Sequence, residues 1–98
     1  MTKDNDAEVL RKMGNAITNL QVTYRGLPLE DQAIVLPRLR ELMDDYSDYE
    51  ARLIKDGTIT SDEELGEIEK IAAEVSAAAT RQTMLIAIAR AIAIIAAA

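Results

Sequence analysis

The chain closes on MLIAIARAIAIIAAA, Met84 to Ala98, fifteen residues in which Arg90 is the only polar side chain. Any acceptable fold has to take most of this run out of water. At 100° per residue, Met84, Ile95, Ile88, Ile92 and Leu85 fall within about 100° of arc and form one heavy stripe. Ile86 and Ile94 lie on the other side, with Arg90 between them. Full burial of the stripe would contribute on the order of 10 kcal/mol, at roughly 2 kcal/mol per side chain. That rivals the whole stability of an ordinary domain. The alternation Ile86, Ile88, Ile92, Ile94 would also suit a strand, but the interleaved alanines favour a helix.

The rest of the composition agrees with helices. A chain of 98 residues holds one domain with one small core. Tryptophan and phenylalanine are absent and the aromatics are Tyr24, Tyr46 and Tyr49, so that core is made of Leu, Ile, Val, Met and Ala. Such a set suits closely packed helices better than strands. The expected fold class is all-α, a small helical bundle of three to four helices with a long or broken apolar C-terminal helix.

The boundaries follow from local signals. Asp4, Asn5 and Asp6 can cap a first helix, and Val9, Leu10, Met13, Ala16, Ile17, Leu20 and Tyr24 recur at helical spacing, which predicts helix over 5–24. Gly14 lies inside that helix at a cost of about 1 kcal/mol against alanine and marks a place where a neighbour could approach closely. Gly26 and Pro28 punctuate. Pro37 is best accommodated at the start of a new helix, which predicts a short helix over 29–35 and another over 37–55, the second carrying Leu39, Leu42, Met43, Tyr46, Tyr49 and Leu53 on one face. Asp56-Gly57 ends it. Ser61 with Glu64 fits a capping box, and Leu65, Ile68, Ile71, Ala72, Val75 and Ala79 share a face of a helix over 61–98 that the polar TRQT at 80–83 can break.

Function is constrained mainly by exclusion. With neither cysteine nor histidine, the commonest nucleophiles, general bases and metal ligands are missing, so no enzyme activity, cofactor or metal is expected. A net charge of −6 argues against direct contact with nucleic acid. Residues 31–56 sum to −3 and 57–79 to −5, whereas 80–98 sum to +2. The cluster DDYSDYE at 44–50 lacks the glycine and terminal glutamate of a calcium loop, and Arg40 with Asp44 and Asp48 with Arg52 explain its charges as helix ion pairs. The opening MTKDNDAEV has no basic stretch followed by an apolar one, so a cytoplasmic location is the default expectation.

Three coverings compete for the closing helix: its own bundle, other copies of the chain, or a lipid surface. A fifteen-residue helix reaches only ~22 Å and Arg90 interrupts it, so a full membrane span is disfavoured and shallow insertion is the lipid alternative. The leading expectation is a non-enzymatic helical interaction module that self-associates as a dimer or higher homo-oligomer. Its expected interface is Met84, Leu85, Ile88, Ile92 and Ile95, with Arg90 either facing solvent or pairing with a carboxylate of another helix or subunit. An acidic inhibitor that binds a basic protein partner or mimics nucleic acid is the second expectation, and a membrane-active helical protein the third.

Overall fold

The computed structural model describes residues 5–56 and 60–97, and among them every element is a helix: α1 (Asn5–Arg25), α2 (Leu29–Asp56), α3 (Asp62–Ala77) and α4 (Arg81–Ala97). Asp4, Gly57 and Ala98, which the sequence assigns to helix boundaries, lie outside the described residues.

Pro37 does not divide 29–56. The expected pair of helices over 29–35 and 37–55 is a single helix of 28 residues with Pro37 inside it. The reason is where the proline points. Pro37 and Ala33, whose carbonyl loses its usual partner, are both exposed, so water can satisfy the orphan. The neighbouring Val35, Leu39 and Leu42 are buried and hold the helix on the core.

The predicted helix over 61–98 is two helices. Ser61 caps α3 as its spacing implies, its hydroxyl accepting from the Glu64 amide at 3.1 Å while the Glu64 carboxylate accepts from the Ser61 amide at 3.3 Å. The chain leaves α3 at Ala78, which is extended (φ −65, ψ 124) and buried, while Ala79 is exposed. Thr80 then opens α4: the Thr83 amide donates to its hydroxyl at 3.2 Å, and its own amide donates to the Thr83 hydroxyl at 3.0 Å. The break thus falls at 78–80, and most of TRQT forms the first turn of α4.

The helices assemble as two stacked hairpins. Within each hairpin the helices run antiparallel: the Tyr46 hydroxyl donates to the Leu10 carbonyl across α1 and α2, and Arg90 pairs with Glu74 across α4 and α3. Between hairpins, like packs on like, α1 against α3 and α2 against α4. Asn5 bonds Asp62, Lys12 pairs with Glu69 and Asn19 bonds Ser76, three contacts that each span 57 residues. Their step of seven residues, two helical turns, places α1 and α3 parallel with their facing sides in phase. Arg81 meets Asp31 near the start of the other pair, and Arg52 meets the Ile95 carbonyl near its end, so α2 and α4 are also parallel. The core between the layers includes Met13 and Leu20 of α1, Leu42 and Tyr49 of α2, Leu65 and Ile68 of α3, and Met84 and Ile88 of α4.

Candidate interaction surfaces

The heavy stripe of α4 faces inward. Met84, Ile88 and Ile95 are buried within one copy of the chain, together with Ala87 and Ala91, and Leu85 and Ile92 are half-buried against the same core. Of the expected interface, Met84, Ile88 and Ile95 thus belong to the core of one copy, where α2 and α3 pack along α4, and Leu85, Ile92 and Arg90 keep part of their surface. Arg90 combines its two sequence readings. It is half exposed, and its Nη1 lies 2.9 Å from Glu74 Oε2 on α3. What α4 turns outward is Ile86 with Ala89, Ala93 and Ala96, beside two shallow grooves along α3 that the Arg90–Glu74 pair separates.

The large apolar side chains left in water are concentrated elsewhere. Leu29 is 82% exposed, Ile54 is 79% exposed, and Met43 is partly exposed, all on α2. With half-buried Leu36 they fall within about 40° of arc at 100° per residue, a stripe along the outer side of α2 next to α1. Part of it lines a groove of about 220 Å³ between the two helices, walled by Tyr24, Leu36, Leu39 and Met43 and edged by Arg25 and Arg40. Among the described residues neither arginine belongs to an ion pair, nor do Asp44 and Asp48 one turn and two turns further along α2. The helix pair expected for Arg40 and Asp44 is therefore not formed. Arg38 and Glu41 pair instead at 2.6 Å. Arg52, expected to meet Asp48, lies over the Tyr49 ring at 5.3 Å and donates to the Ile95 carbonyl.

A different polar cluster is sealed inside. Asn5 donates to the Thr60 carbonyl at 3.1 Å and to Asp62 at 2.8 Å, and the Thr60 amide donates to Asp6 at 3.0 Å. The Thr60 hydroxyl shares a hydrogen bond of 3.0 Å with the Tyr49 hydroxyl. Burial pushes the Tyr49 phenol above its ordinary pKa, against the opposing effect of that hydrogen bond. This cluster ties the start of α1 to α2 and to the entry of α3, a structural role that sequence reasoning had given to Asn5 and Asp6 only as helix caps. Among the described residues no three carboxylates converge to hold a metal ion, and no helix is long and apolar enough to cross a membrane. No known protein family matches the chain, and neither a curated protein nor a solved structure does.

Proposed function

We propose that the chain is a non-enzymatic helical module that associates with further copies of itself. The observation that carries this reading is the α2 stripe, in which Leu29 and Ile54 stand almost fully in water while α1 covers Leu36 and Met43 only in part. Each large side chain of this kind gains roughly 2 kcal/mol on full burial, so the stripe, with Leu29 and Ile54, is a stronger contact element than the single Ile86 and the alanines that α4 turns outward. With the heavy stripe of α4 packed as core, the contact moves from α4 to α2. A protein surface suits the stripe better than a bilayer does, because the charged Arg40 and Asp44 border it along one side.

Sedimentation equilibrium of the full chain tests this. The expected mass is about twice the 10.7 kDa of one chain, falling to one chain when Leu29→Glu and Ile54→Glu are combined. A single-chain mass persisting up to about 1 mM, where even dimers of ~1 mM dissociation constant would be visible, would falsify the proposal.

A further inference from the structure

The unpaired charges on α2 specify how a second copy would lie. We propose that two copies pair through α2 in antiparallel register about a dyad between Glu41 and Leu42, Arg40 of each meeting Asp44 of the other. The proposal rests on the self-association argued above and adds the orientation, the register and the residues that select the mate.

Two observations converge on it. Leu29 and Ile54, the two most exposed large apolar side chains, lie equally far from that dyad, so an antiparallel mate sets Leu29 of each copy on Ile54 of the other. The same register places Leu36 opposite Ser47 and Arg40 opposite Met43, with Asp44 next along the helix. Arg40 and Asp44, without ionic partners in one copy, thereby find them in two.

Orientation is decided by charge. A parallel mate would bring Arg40 toward Arg40 and Asp44 toward Asp44, like charge toward like at both positions. The antiparallel mate replaces both repulsions by symmetric opposite pairs, the self-complementary arrangement of an isologous dimer. An unrelated acidic helix could satisfy Arg40, but it would leave Asp44 unpaired. A second copy satisfies both.

Charge reversal on the full chain tests the register. Arg40→Asp alone and Asp44→Arg alone each create two like-charge contacts across the dyad, and each is expected to weaken the dimer at least ~10-fold. Mixed in equal amounts, the two variants should form a heterodimer within about threefold of the wild-type affinity, since positions 40 and 44 then carry opposite charges at both contacts across the dyad. Both positions are exposed, and unchanged helical circular dichroism checks that the variants fold. Native mass spectrometry of the mixture gives the count. A wild-type dimer that dissociates on Leu29→Glu with Ile54→Glu but ignores both reversals sinks the register and leaves self-association standing. A dimer indifferent to all four substitutions sinks the α2 site, and a wild-type monomer sinks both readings.

Discussion

The Tyr46 hydroxyl stands 2.9 Å from the place a β-carbon on residue 14 would occupy, and from there it donates to the Leu10 carbonyl at 2.9 Å. Gly14 is therefore where the Tyr46 side chain of α2 reaches the backbone of α1, and the helical penalty of a glycine is accepted to seat a tyrosine. Gly14→Ala should regain about 1 kcal/mol of helix propensity. It would also displace the hydroxyl, losing a hydrogen bond of about 1 kcal/mol and part of the surrounding packing. The expected net effect in urea unfolding is a loss of about 1 kcal/mol. In a Tyr46→Phe background the obstructing atom is gone and the ring carbon behind it, at 3.7 Å, is in ordinary contact. There the same alanine should stabilise. A penalty that persists without the hydroxyl would assign the glycine to something other than Tyr46.

Tyr49 makes the alkaline limit of the fold measurable. Its phenol is held above the ordinary 10.0 by burial, and Tyr46 is raised as well, by burial and by the nearby Glu50. The folded state thus keeps these protons more tightly than the unfolded chain. Their stabilising contribution is complete below the unfolded tyrosine value and is lost as pH rises through it toward the folded values. Urea midpoints should be level in this respect near neutrality and fall above about pH 10. Tyr49→Phe should cost about 1 kcal/mol at neutral pH through the lost bond to Thr60, and should flatten the alkaline decline without abolishing it, because Tyr46 remains. A slope unchanged by Tyr49→Phe would place the titration elsewhere.

The unbroken course of α2 predicts the effect of removing its proline. Alanine at 37 can donate to the Ala33 carbonyl and restore a turn of the helix without touching the core, since Pro37 is exposed. Pro37→Ala should therefore raise stability by about 1–3 kcal/mol. Were 29–35 and 37–55 separate helices, with proline in the first turn of the second, the substitution would be neutral or costly. Thermal unfolding distinguishes the two outcomes.

The same proline explains what the sequence withheld. Periodicity and the Ser61 capping box were enough to place α1 and the start of α3, because each is an uninterrupted local pattern. Pro37 interrupts the pattern of α2 and divides the seven-residue spacing of Leu29, Leu36 and Met43 between the two expected helices. Read through the proline, that spacing is visible as a second face of α2. The polar cluster of Asn5, Asp6, Tyr49 and Thr60 was not legible in any local window, since its bonds join residues as much as 55 apart. For α4 the sequence supplied the two faces but not which of them looks inward, and that depends on how α2 and α3 converge on it.

That last choice can be tested by truncating one isoleucine on each side of α4. Ile88 is fully buried beside Met84 and Ala91, and Ile86, two residues earlier, is 52% exposed. Removing a buried isoleucine side chain leaves a cavity on top of the lost transfer energy, so Ile88→Ala should cost about 2–5 kcal/mol. Ile86→Ala should stay within about 0.5 kcal/mol, helped by the better helix propensity of alanine. Both substitutions make the same chemical change in the same helix, so the difference between them reports orientation alone. Calorimetric unfolding at low protein concentration keeps any association from contributing. Equal losses would mean that α4 is covered on both sides, and a larger loss at Ile86 would turn the helix over.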